Sequence, residues 1–378
     1  MPLRDFLAGI RVLDLSQFIP GPQAALHLAD LGAEVVKVEP PGGEPMRTLG
    51  PMDPDGVSAF YKLMNRGKTV VELDLKSAAG KTDFTALLAA ADVLVESYRP
   101  GVLDRLGFDR ATLERLNPRL VHVALTGFGQ TGPYRLRAGH DINYMALAGG
   151  LAASGSAERP QIAYPPTADH ASALQAALAA VAALLGRART GRGVFIDVSL
   201  AETVLAWQAI PLTLAQRQGH EPHRAAAMLN GGTAYYQIYR TSDGKFITLG
   251  AVEAKFWENF CRAVGRPEWG PRHGEAFPQR ALIAEVAALI AEKPLAHWVA
   301  AIDPADCCFH PVVELADVPD HPQIAERRLV QRVAADPALV ETLFPAWVDG
   351  APPDPRAPLR FRAAEEVGAL WSKRLEKK

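Results

Sequence analysis

Cysteine is scarce: Cys261, Cys307 and Cys308 are the only three among 378 residues. Two of them are adjacent, and no Cys-x-x-Cys pairs with a His-x-His spacing. Neither a disulfide framework nor a metal site is therefore expected. An excess of one charge is missing too. Lys and Arg number 40 against 42 Asp and Glu, a formal net charge of −2, which argues against nucleic acid or an anionic membrane as principal partner. No apolar run reads as long enough to span a bilayer, because the longest, near Ala173–Leu185, is interrupted by Gln175. The opening MPLRDFLAGIRV lacks the apolar core of a signal peptide. The expectation is a cytoplasmic enzyme of two domains without nucleic-acid or membrane partners.

The first hundred and thirty residues alternate strand and helix signals. Ile10–Leu15 reads as a strand, Pro20-Gly21-Pro22 as a turn, Gln23–Leu31 as a helix closed by Gly32, and Val35–Glu39 as a second strand. Glu39 stands where a dinucleotide-binding fold would hold a ribose. The first strand, however, is followed by SQFIPGPQ and not by G-x-G-x-x-G, which disfavours a nicotinamide or flavin site. Further strands are expected at Thr69–Leu75, Val93–Ser97 and Leu120–Leu125, with helices at Asp83–Ala91 and Leu113–Leu116. Lys76, Arg99 and Arg105 fall in loops after strands, where open α/β sheets bind ligands. Bases so placed suit a phosphate-bearing ligand held by side chains.

The segment Ala138–Asp169 brings one imidazole, His140, and one carboxylate, Asp169, into one supersecondary unit. Two proton-carrying groups are what inversion of a carbon acid requires; an Asp at that position also suits a helix N-cap. The helix that follows, about His170–Arg187, is apolar nearly all round, so it is expected to be buried against the sheet. After the strand Val194–Ser199 and a helical stretch over Glu202–Gln216, the texture changes. Tyr235–Tyr239, the turn Thr241-Ser242-Asp243-Gly244 and Phe246–Leu249 read as an antiparallel pair. Helices follow at Ala254–Val264 and Ala281–Glu292. The expected division is a large α/β domain over 1–200, completed by 330–378, and a small α+β domain over 225–315. Segments 200–225 and 315–345 read as connectors, the latter as extended arm and not core.

Several long motifs occur in one order: LAGIRVLDLSQFIPGPQAALHLADLGAEVVKVEPPGG, SYRPGV, GFGQTGP, AGHDINY, ARTGRGVFIDVSL, GGTAYYQIYRTSDGKF and DPADCCFHPVVELADV. They resemble the family III coenzyme A transferases (the CaiB/BaiF superfamily) almost end to end, and most closely the α-methylacyl-CoA racemase branch. The resemblance implies a large doubly wound Rossmann-like domain, a smaller α+β domain and an interlocked homodimer. It implies racemisation at C2 of a 2-methylacyl-CoA. His140 and Asp169 would be the two bases and Glu253 would orient the histidine, with no metal needed. The alternative is transfer of coenzyme A between carboxylic acids with Asp169 as nucleophile. Coenzyme A, part of the substrate and not a resident cofactor, would be contacted by Leu73, Asp74, Leu75, Lys76, Ser97, Tyr98, Arg99, Arg105, Gly139, Asp141, Ile142, Asn143 and Tyr144. Free N–H groups at the N-terminus of the His170 helix would stabilise an enolate. Met145, Met228 and Tyr235 are candidates for the acyl pocket. The chain departs from the racemases in reading HASAL after Asp169 in place of a glycine-rich run. It also has Pro40 where a family arginine can contact the nucleotide, with Lys37 nearby.

Overall fold

The computed structural model describes residues 1–217, 223–333 and 336–375. Parts of the two expected connectors, 218–222 and 334–335, and the end of the C-terminal segment, 376–378, lie outside the described residues. The chain forms two compact units. The larger comprises Met1–Ala148, Tyr164–Ala206 and Pro319–Lys378, the smaller Gly149–Ala163 and Trp207–Val318. Residues 149–163 thus leave the span 1–200 and belong to the smaller unit.

The larger unit is built on a seven-stranded sheet in which every pairing is parallel. Its first six strands are β1 (Arg11–Asp14), β2 (Glu34–Glu39), β3 (Thr69–Glu72), β4 (Val93–Glu96), β5 (Val121–Thr126) and β6 (Val194–Ser199). Across the sheet they run β3-β2-β1-β4-β5-β6, and the C-terminal strand Arg360–Phe361 extends the β3 edge. This is the doubly wound order, with the direction of winding reversing between β1 and β4. β1, β4 and β5 are buried along their whole length, as parallel strands with both faces covered must be. Leu13, Leu94, Val71, Phe84 and Leu88 form the core on one side, joined by Val367 and Trp371 from the C-terminal helix.

The segment expected as an arm is therefore part of the larger unit. Val330–Val333 pairs antiparallel with Asp336–Thr342, and Leu339 and Leu343 are buried. Arg356 is locked to Asp30 by two short bonds, 2.6 and 2.8 Å. Its Pro and Asp content masked the alternating residues that make this pair.

The long helix Thr167–Thr190 differs from expectation in another way. Its alanine face, Ala173, Ala176, Ala177 and Ala180, is buried where the helix packs on the Pro20–Asp30 helix, β5 and β6. Small residues allow that close approach. The opposite face leaves Leu174, Leu178 and Leu185 at 55, 60 and 71% exposed. An all-round apolar pattern thus marks two different surfaces and not one buried rod. By length and composition alone the helix does reach what a membrane span needs.

The smaller unit carries an antiparallel sheet of β7 (Tyr236–Arg240), β8 (Phe246–Gly250) and β9 (Phe309–Pro311), in the order β7-β8-β9. Gly244, at φ +79°, closes the β7–β8 turn, a backbone conformation that costs glycine nothing. The helices Ala254–Ala263, Arg280–Ile290 and Leu295–Ile302 cover a core that includes Trp257, Phe260, Trp269, Val286 and Trp298. Tyr235 belongs to this core, stacked on His273, so it is not free to line an acyl pocket.

Candidate active site

A cleft of about 440 Å³ opens over the carboxyl ends of β1, β4, β5 and β6. Its walls are Gln17, Phe18 and Pro20 after β1, Ser97–Pro100 after β4, and Leu125–Phe128 at the end of β5. Leu200 after β6, Arg135, Arg137–His140, Tyr144 and Asp169 complete it. It straddles the β1/β4 switch point, where the loops of neighbouring strands diverge and leave a crevice.

The turn after β1 is held by a buried ionic network. The Asp14 carboxylate pairs with Lys68 at 2.9 Å and accepts from the Ser16 amide at 3.0 Å and from the Ser16 hydroxyl. Lys68 also donates to Pro22 O and Asn65 Oδ1. Lys37 donates to Ser16 O at 2.8 Å and pairs with Glu44 at 3.1 Å; Glu44 in turn accepts from the Phe18 amide at 3.1 Å. Asp14, Lys37 and Lys68 have no solvent exposure. Burial alone would raise the Asp14 carboxyl, but Lys37 and Lys68 bring it down to about 2. Burial pushes Lys68 down to about 8 against the pull of Asp14. The Gln17 amide donates to Ser97 Oγ at 3.0 Å, tying the two loops across the switch point. Gly21 is required here: a Cβ would come 2.1 Å from Ser16 Cβ.

Two charged residues of β2 are engaged within the fold. Glu39 is not open to a ribose, because it is buried and accepts from Tyr61 Oη and Arg47, both at 2.7 Å. Lys37 is not open to a nucleotide, because the network consumes its charge.

The short helix Asp141–Leu147 presents the histidine. His140 is its N-cap, exposed; its amide donates to Asn143 Oδ1 at 3.0 Å, and Asn143 N donates back to His140 O. One turn on, Tyr144 packs its ring between Gly127 and Gly139 and against the Phe128 ring, with centroids 5.2 Å apart. Its hydroxyl donates to Gly139 O at 2.5 Å. Burial, and then the Asp169 charge, push this phenol up to about 12. A Cβ at Gly127 would come 2.4 Å from the ring, so Gly127→Ala is expected to displace Tyr144 and cost about 1–3 kcal/mol, as overpacking does. Urea denaturation measures it.

Asp169 occupies the third position of the long helix, and Pro166, which has no side-chain donor or acceptor to offer, is the N-cap. The cap is supplied from elsewhere. Asp141 Oδ2 accepts from the amides of Ala168 at 2.6 Å and Asp169 at 3.1 Å. The Asp169 carboxyl is thus spared the capping role its position suggested. Burial, and then the neighbouring Asp141 charge, raise it from 3.8 to about 7. The same bonds correct another expectation: these two N–H groups already have an acceptor and are not open to an enolate oxygen.

Of the other residues expected to hold coenzyme A, Ser97, Tyr98, Arg99, Gly139 and Tyr144 line the cleft. Leu73 and Leu75 are buried in the core, so only their backbone is available. Asp74 accepts from the Lys76 amide, and Lys76 and Arg105 are exposed outside the cleft wall. Asp141 and Asn143 are engaged as caps, and Ile142 is 42% exposed. Glu253 belongs to the smaller unit, exposed at the N-cap of the Ala254–Ala263 helix. Met145 is buried and Met228 exposed.

Sequence reasoning missed Gln17, Phe18, Arg135 and Arg137. With Arg99, the last two put three exposed guanidinium groups on one cleft, and Arg137 lies 3.7 Å over the Tyr134 ring. Planar guanidiniums so placed suit an anionic, phosphate-bearing ligand. The signal was the run YRLR directly after GFGQTGP, in a loop that follows a strand.

A doubly wound unit with a cationic cleft at its switch point, lined by a histidine and by an aspartate whose carboxyl is raised to about 7, has the make-up of a site for anionic substrates. The chain belongs to CoA-transferase family III, whose profile matches residues 7–359, and it is an enzyme of that family acting on acyl-CoA. It is 36% identical to human α-methylacyl-CoA racemase over 329 residues, 85% of this chain and 81% of that one. It is 32% identical to acetyl-CoA:oxalate CoA-transferase of Acetobacter aceti over 331 residues, 85 and 84% of the two chains. A CaiB/BaiF family protein from Brucella suis superposes with a TM-score of 0.83 at 29% identity, covering 97% of this chain and 98% of that one.

Proposed function

We propose that the protein racemises C2 of a 2-methylacyl-CoA thioester, with His140 and Asp169 as the two bases. The observation that carries this reading is that both side chains line one cleft while burial and Asp141 raise the Asp169 carboxyl to about 7. A carboxyl titrating there can take and give a proton at neutral pH, which is what each direction of a two-base reaction demands. In one direction His140 removes the C2 proton and Asp169 returns one to the other face; in the other the roles exchange. The guanidiniums of Arg99, Arg135 and Arg137 would hold the phosphates of coenzyme A, which leaves with the product and is not a resident cofactor. His140→Ala is expected to lower α-proton exchange about a hundredfold or more, read as deuterium incorporation at C2 in D2O. Full exchange in that variant would remove His140 from the mechanism.

Transfer of coenzyme A between two acids is the second reading, favoured by the transferases at similar identity. There Asp169 attacks the thioester carbonyl and expels coenzyme A thiolate, which then attacks the resulting anhydride to give an aspartyl thioester and free acid. It needs Asp169 ionised before attack, which a carboxyl raised to about 7 supplies less fully at neutral pH. Ping-pong exchange of coenzyme A between added acids distinguishes the two.

We further propose a homodimer, with Glu253 of a second copy orienting His140. The support is the exposed stripe of Leu174, Leu178 and Leu185 on the long helix, apolar area that a second chain would cover. Leu178→Lys is expected to shift the sedimentation coefficient to that of a monomer. An unchanged dimer would place the interface elsewhere.

A further inference from the structure

A carboxylate in the first turn of a helix normally gains from the positive end of the helix dipole, which favours its ionised form. Asp169 stands in that first turn of a 24-residue helix. The amides that create much of this field are those of Ala168 and Asp169, and both donate to Asp141 Oδ2, at 2.6 and 3.1 Å. Asp141 comes from a different helix, 27 and 28 residues earlier in the chain. It therefore does two things at once: it satisfies two orphan donors, and it places at the helix end a negative charge that acts on the Asp169 carboxyl.

We propose that Asp141 is a positioning residue for Asp169, whose charge cancels the helix field that would otherwise hold Asp169 ionised and so keeps a proton on it for turnover. The inference deepens the proposed function and rests on Asp169 being a proton carrier. The surroundings leave few other sources for such an effect. The remaining titratable and charged groups around Asp169 are His140 and Tyr144 on or beside the short helix and Arg99 after β4. Arg135 and Arg137 follow β5, His170 is its chain neighbour, and His27 on the Pro20–Asp30 helix interacts with His170. The arginines favour the ionised form. Burial and Asp141 oppose them, and they prevail.

The geometry separates capping from charge. In Asp141→Asn the side-chain oxygen still accepts both amides but carries no charge. The experiment titrates the Asp169 carboxyl directly, by 13C NMR of protein labelled at the aspartate carboxyl carbons, with the signal assigned by its loss in Asp169→Asn. The wild-type midpoint is expected near 7, and Asp141→Asn should lower it by about one unit or more, a tenfold or greater loss of proton affinity. Asp141→Ser, which keeps a hydroxyl acceptor, gives the same readout if the Asn variant does not fold. An unchanged midpoint in a folded variant overturns the proposal and leaves burial alone as the cause; a wild-type midpoint in the ordinary carboxylate range overturns it as well. No turnover is measured, so failure here is distinguishable from failure of the racemase reading.

Discussion

Asp169→Asn is expected to abolish turnover and at the same time to stabilise the folded protein at neutral and alkaline pH. Loss of a group that must exchange a proton in both directions costs about 10²–10⁴-fold in rate, and the amide can neither take nor give one. The stability effect follows from linkage. The folded state holds the Asp169 proton to about pH 7, whereas an unperturbed carboxyl loses it near 3.8. Between those two values the folded state binds more protons than the unfolded one, so stability falls as pH rises through the window. Above it the ionised, buried carboxylate is a standing cost that the asparagine does not carry. Urea midpoints at pH 8 should therefore be higher for Asp169→Asn than for wild type, and the difference should vanish near pH 4. A variant less stable at pH 8 would mean that the ionised carboxylate makes a stabilising contact.

The second large effect concerns stability alone. Asp14→Asn removes a carboxylate that pairs with both Lys37 and Lys68, neither of which has any exposure to water. Breaking a buried pair from one side leaves uncompensated charge and costs about 3–5 kcal/mol. The damage should reach the cleft as well. Lys37 and Lys68 hold the carbonyls of Ser16 and Pro22, and so fix the turn that carries Gln17 and Phe18. Urea denaturation gives the first quantity. A KM for acyl-CoA that rises while the folded fraction is held constant gives the second. A variant as stable as wild type would show that water reaches the lysines.

The doubly wound architecture was legible because its strands are short apolar runs spaced by helix signals. The expected strand Val35–Glu39 and helix Ala254–Val264 differ from the observed Glu34–Glu39 and Ala254–Ala263 only at their ends. The family was legible from long motifs. What escaped was whatever depends on contacts between distant residues. Nothing local to Asp141 announces that it caps a helix beginning at Thr167, and local reasoning gave the cap to Asp169 itself. The partners of Glu39 and Lys37 were equally hidden: Arg47, Tyr61 and Glu44 follow in a loop and a helix whose return path has no sequence signature. The long helix misled through composition: alanine packs tightly and leucine does not have to, so one apolar stretch carries a buried face and an open one.

The most direct test of the account is α-proton exchange: the purified protein is incubated with a single enantiomer of a 2-methylacyl-CoA in D2O, and deuterium and configuration at C2 are followed by mass spectrometry and NMR. The account predicts deuterium incorporation with inversion and no requirement for a second carboxylic acid. Absence of exchange, with coenzyme A passing to an added carboxylate, would contradict it and make Asp169 a nucleophile.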